Sequence, residues 1–143
     1  MEVNMQLVNF EEFSFTGTHV FGELYGVSYE NLDSIDQLEE ILTRGIEESK
    51  AKCLGIMTKK FKPNGVTLLA LLSESHVSVH TYPEHNALFI DAFTCGTLCD
   101  PRVIINTFIQ KLHPEKNVIS ETQRGLQNHD IGLPNILPNS IYD

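Results

Sequence analysis

The stretch LLSESHVSVHTYPEHNALFIDAFTCG, Leu71 to Gly96, decides the fold. It holds two runs rich in β-formers, Val77–Thr81 and Leu88–Thr94, with a turn at Pro83 between them. Both runs alternate. In the first, Val77 and Val79 share one face, and His76, Ser78 and His80 share the other. In the second, the face of Phe89, Asp91 and Phe93 extends to Cys95. Two strands are predicted, each apolar on one side, with imidazoles, a carboxylate and a thiol on the other. Such side chains can meet across a sheet face, although parity leaves open which strands pair.

Upstream, Cys53–Phe61 and Val66–Leu72 are two more strands, joined by Lys62-Pro-Asn-Gly65. That tetrapeptide is a turn by its chemistry, because Asn-Gly tolerates positive φ. Before them, Ile35, Leu38, Ile41, Leu42 and Ile46 recur at helical spacing. Ser34 with Gln37 resembles a capping box, so an amphipathic helix is predicted over about 34–51, with Gly45 as a mild cost inside it. Thr18–Tyr25 reads as a first strand, preceded by a loose arm of about ten residues. Downstream, Asp100-Pro101 opens a second helix, with Asp as N-cap and Pro at the first helical position. Val103, Ile104, Phe108 and Leu112 mark its buried face, and Lys116–Gln123 is a last strand. The tail, with Pro134 and Pro138, is expected as an extended surface segment. The sum is an α+β fold: a two-layer α/β sandwich, one antiparallel sheet with helices on one face, in a single domain over 1–143.

Composition narrows the function. The chain has 143 residues, 41% hydrophobic and 20% charged, which suits one globular domain. Its net charge of −9 repels phosphate backbones, so no nucleic-acid partner is expected, whereas a small cationic substrate is compatible. No apolar run approaches the ~18 residues of a membrane span. MEVNMQLVNFEEF is acidic and does not read as a signal peptide. Three cysteines, Cys53, Cys95 and Cys99, point to reduced thiols and a cytoplasmic location.

Taken singly, a sheet histidine is most often a surface or satisfied residue, and a buried cysteine a small core residue. His76, His80, His85, Cys95 and Cys99 are all possible zinc ligands, but not at chelating spacings. His76 and His80 would lie ~13 Å apart along a strand. No metal is therefore expected.

The whole motif carries more than its parts. Glu-Ser-His-x-x-x-His-Thr-Tyr-Pro-Glu over residues 74–84, followed by Asp-x-Phe-Thr-Cys-Gly over 91–96, closely resembles the small prokaryotic S-adenosylmethionine decarboxylases, which are pyruvoyl enzymes. Gly17-Thr-His19-Val-Phe-Gly-Glu23-Leu-Tyr resembles the family's first strand, and Arg124-Gly125 its motif after the last one. The resemblance spans about residues 15–133.

It implies that Ser75 attacks the Glu74 carbonyl and that the chain breaks into 1–74 (the β chain) and 75–143 (the α chain), with residue 75 left as the pyruvoyl group. Decarboxylating an amino acid needs such an electrophilic carbonyl, able to form a Schiff base, because no side chain is a good electron sink. Pyridoxal phosphate is not expected, since the sequence has neither a phosphate-cradling Gly-rich loop nor an evident lysine context. The resemblance assigns processing to His80 and Thr67, the latter standing where the family carries serine. It makes Cys95 the catalytic acid, a role a thiol can fill. Glu84 matches a glutamate that contacts the ribose hydroxyls, and Tyr82 stands where many relatives have Trp. His76 adjoins the scissile bond without a firm role. The implied product is the aminopropyl donor for spermidine synthesis, and the implied assembly a homodimer of processed protomers. Ornithine or arginine as substrate, or an unprocessed ligand-binding homologue, are the alternatives.

Overall fold

Alternation builds one six-stranded antiparallel sheet in the computed structural model of the chain, which describes residues 15–73 and 75–125. Its strands are β1 (Gly17–Tyr25), β2 (Cys53–Lys60), β3 (Val66–Leu72), β4 (His76–Tyr82), β5 (Ala87–Cys95) and β6 (Lys116–Arg124). They are ordered β2-β3-β4-β5-β1-β6, every pair antiparallel. The pairing that parity left open is now settled: His76 faces Phe93, Ser78 faces Asp91, and Thr67 faces His80.

One face of the sheet is dry. Val20, Leu24, Leu68, Val77, Val79, Leu88, Ile90 and Ala92 are buried there. They form one core with Leu38, Leu42 and Ile46 of α2 (Ile35–Glu48) and Ile104, Ile105 and Phe108 of α3 (Pro101–Leu112). Each Val, Leu, Ile or Phe side chain among them contributes about 1.5–3 kcal/mol by leaving water. Gly45 shows why its helical cost is tolerated. A Cβ there would stand 3.3 Å from the Ile104 Cα, so the glycine lets α2 and α3 approach closely. The expected sandwich is therefore observed, with both long helices on one side.

Boundaries differ in detail. Ser34 caps α2, accepting from the Gln37 N–H at 3.3 Å, but the helix stops at Glu48. Lys50, at φ 68, turns the chain out of the helix. A short helix, α1 (Tyr29–Leu32), precedes α2 under a Ser28 cap and was not apparent from periodicity, being one turn long. In α3, Ile105 is buried and Val103 only half-buried, because α3 presents its Ile104–Ile105–Phe108 side to the sheet. In the β2–β3 turn the positive φ falls on Gly65, at 104°, and not on Asn64. The N-terminal arm and the proline-containing tail lie outside the described residues.

Candidate active site

Among the described residues the second sheet face carries no helix, and it holds the chemistry. His19 and Phe21 of β1, Thr67 and Leu69 of β3, His76, Ser78, His80 and Tyr82 of β4, and Phe89, Asp91, Phe93 and Cys95 of β5 alternate with the buried positions. Large apolar groups on it stay in contact with water: Leu71 is 61% exposed, Leu69 48%, Phe21 42% and Phe89 38%.

At the start of β4, Ser75 stands just outside the strand. Its carbonyl accepts from the Leu72 N–H at 2.9 Å. Its Oγ lies 3.6 Å from the Cys95 Sγ, so a thiol that can give or take a proton sits against residue 75. A cleft of about 160 Å³ opens there, lined by Lys50, Lys52, Ser73, Ser75, Thr94 and Cys99 among others. Because β4 begins only at His76, strand parity does not bind Ser75 to the face opposite His80. Glu74 lies outside the described residues, and so does any strain at its bond to Ser75. All three cysteines are thiols and none forms a disulfide.

A second group forms at the other end of β4. Thr67 Oγ1 and His80 Nδ1 are 3.0 Å apart across the β3–β4 pair. The β-branched threonine thus keeps its hydroxyl on the imidazole. Thr67, His80, Tyr82 and Glu84 line one cleft of about 350 Å³ with Phe61 and Asn64. The Tyr82 and Phe89 rings pack beside it, with centroids 5.0 Å apart. The chain therefore brings Ser75 to Cys95 and Thr67 to His80, Tyr82 and Glu84. It does not bring these two groups together, since His76 to His80 alone spans ~13 Å of strand.

Between the groups lies a network that spacing did not reveal. Asp91 Oδ2 is 2.7 Å from His19 Nε2 and 3.1 Å from His76 Nε2, and Ser78 Oγ donates to Oδ1. Burial works to raise the Asp91 carboxyl, but the Ser78, His19 and His76 donors outweigh it and hold it below the usual carboxylate range. Arg124 Nη1 is 3.3 Å from His19 Nδ1, and the guanidinium lies over Phe93 at 4.6 Å. The available signal was Asp91 itself, a charge inside an apolar strand on the same face as two histidines on β1 and β4.

Two imidazoles and a carboxylate within 4.8 Å of one another invite the idea of a metal ion. Arg124 argues against it. An arginine only donates, so His19 Nδ1 must accept and Nε2 must carry the proton that a metal would displace. Elemental analysis of the purified protein is expected to find no stoichiometric zinc; a tightly held equimolar ion would overturn the hydrogen-bonded reading.

Among the described residues, no helix is long and apolar enough to cross a membrane. The sequence model described as S-adenosylmethionine decarboxylase matches residues 18–125. The chain is 43% identical over 115 residues to "S-adenosylmethionine decarboxylase proenzyme 2" of Bacillus cereus, covering 80% of this chain and 94% of the relative. It is 37% identical over 110 residues to an "S-adenosylmethionine decarboxylase proenzyme" of Methanococcus maripaludis, covering 77% and 90%. Among solved structures, it is similar to the adenosylmethionine decarboxylase of Aquifex aeolicus VF5, with a TM-score of 0.75 and 27% identity over 81% of this chain and 96% of that one.

Proposed function

The chain belongs to the S-adenosylmethionine decarboxylase family, and from that premise we propose how its own residues carry the reaction, the release of CO2 from S-adenosylmethionine, a small-molecule substrate. The protein is made as a proenzyme that cleaves itself between Glu74 and Ser75, giving chains 1–74 and 75–143, and residue 75 becomes the pyruvoyl group. The observation that carries this reading is the Ser75–Cys95 contact at 3.6 Å inside the Glu-Ser-His motif. The residues around Ser75 fit such a group: a main-chain N–H already holds the carbonyl of residue 75, and a thiol stands against its side chain. When formed, the group supplies the electron sink that amino-acid side chains lack. No metal and no pyridoxal phosphate enter this reading.

The remaining roles belong to the chain. Cys95 holds the proton destined for the substrate's α-carbon. Glu84, on the wall of the Thr67–His80 cleft, presents a carboxylate that accepts from a vicinal diol such as ribose, with Tyr82 beside it. This is the reason to prefer a nucleoside substrate over ornithine or arginine. The Thr67–His80 pair serves processing, and work of this kind is expected in the cytoplasm.

One protomer keeps the two groups at opposite ends of β4, so the complete site needs a second copy. A two-fold pair that packs open face on open face, with its axis running across the strands, sets the Ser75 end of one sheet against the His80 end of the other. It also covers Phe21, Leu69, Leu71 and Phe89. Mixing tests this. Ser75→Ala and His80→Ala chains are each expected to be inactive alone. Co-expressed, they should regain cleavage and decarboxylation, because a mixed dimer holds one site with Ser75 from one chain and His80 from the other. A mixture as dead as its components, or a monomer by sedimentation at micromolar concentration, would sink the shared site.

A further inference from the structure

His76 follows Ser75 directly, and the reading above leaves it without a role. Its ring is nevertheless held on the open face by a carboxylate. Asp91 is acceptor-only when ionised, so His76 must turn an Nε2–H toward it at 3.1 Å. His19 does the same at 2.7 Å, and its own tautomer is set by Arg124, which can only donate to His19 Nδ1. Ser78 supplies a third donor to the same carboxylate. Phe93 flanks both rings, with centroids 5.4 Å from His19 and 6.1 Å from His76.

A neutral His76 that donates its Nε2–H to Asp91 in a hydrogen bond keeps Nδ1 unprotonated. Nδ1 is the ring nitrogen fewer bonds from the residue's own main chain, which continues directly from Ser75. It has no hydrogen-bond partner among the described residues. An imidazole oriented by a carboxylate at one nitrogen and open at the other is arranged as a general base.

We propose that His76, held by Asp91, is the base that takes the Ser75 hydroxyl proton in the first step of self-cleavage, with Asp91, His19 and Arg124 as positioning residues. The step balances without a co-reactant. The proton leaves Ser75 Oγ for His76 Nδ1, and Oγ bonds to the carbonyl carbon of residue 74. The bond from that carbon to the Ser75 nitrogen then breaks, and the nitrogen takes the proton back from His76. An ester replaces the amide, and His76 ends as it began. His80 is left for the later removal of the Ser75 α-proton. This division of labour rests on the self-cleavage reading and explains why two histidines, not one, stand on β4.

The test follows freshly made precursor by denatured mass. The chains are wild type, His76→Gln, His76→Ala, Asp91→Asn and Ser75→Ala, each checked by far-ultraviolet circular dichroism for a native fold. His76→Gln keeps a donor for Asp91 but has no basic ring nitrogen, and it should cleave about 10²-fold more slowly. Its uncleaved chain should resist hydroxylamine, because no ester has formed. Added imidazole should restore part of the rate to His76→Ala, and Asp91→Asn should be slowed about tenfold. His76→Gln cleaving at the wild-type rate, accumulating a hydroxylamine-sensitive ester, or a His76→Ala chain deaf to imidazole would each overturn the proposal. A wild-type chain that stays whole removes the self-cleavage reading and this one together. Normal wild-type cleavage alongside normal His76→Gln cleavage removes this one alone.

Discussion

A Ser75→Ala chain is expected to remain a single species at the full 16.1 kDa and to release no CO2. The wild type should instead give two fragments, of which the larger-numbered one resists N-terminal sequencing. On the proposed mechanism cleavage needs an oxygen nucleophile at residue 75, and alanine removes it while keeping the Cβ. The fold should survive: Ser75 lies outside β4, in the turn closed by the Leu72 N–H, and not in the core. The loss is therefore of chemistry and not of structure, and thermal melting close to wild type would confirm that. Dialysing in pyruvate should not help, since the proposed group is amide-linked to the main-chain nitrogen of His76. A Ser75→Ala chain that still breaks, or an intact chain that still decarboxylates, would remove Ser75 from the centre of the reaction.

Cys95→Ala should separate the two activities. On the proposed mechanism processing uses Ser75 and its histidines before any substrate arrives, so the variant should still break into two chains. Decarboxylation should fall by about 10²–10⁴-fold, the usual effect of deleting a general acid. A second signature is expected in the 75–143 chain. When the proton is not delivered to the substrate's α-carbon, it can be delivered to residue 75 instead, and the substrate nitrogen stays behind. That leaves an alanine terminus, visible by mass spectrometry and accumulating with turnover. The wild type should acquire it more slowly. Full activity in Cys95→Ala, without faster inactivation, would make the 3.6 Å contact with Ser75 a packing contact and no more.

Local chemistry alone placed most of the elements. Periodicity in Ile35–Ile46, the Asp100-Pro101 start and the alternation of His76–His80 and Phe89–Cys95 each gave an element that the structure contains. Alternation also told which side of β4 and β5 is dry, because a period of two needs no knowledge of the partner strand. What it could not give was pairing. Thr67 lies 13 residues before His80, and His19 lies 72 before Asp91; only register brings them within hydrogen-bond reach. Nothing local distinguishes Asp91, a half-buried charge in an apolar strand, from an unfavourable residue until three donors from β1 and β4 are seen around it. The motif named Ser75, His80, Cys95 and Glu84 together, as one string of residues. Tertiary structure alone sorts them into two groups, since a strand is rigid and extended: residues a few places apart in the chain stand at opposite ends of β4, and contiguity in sequence becomes separation in space.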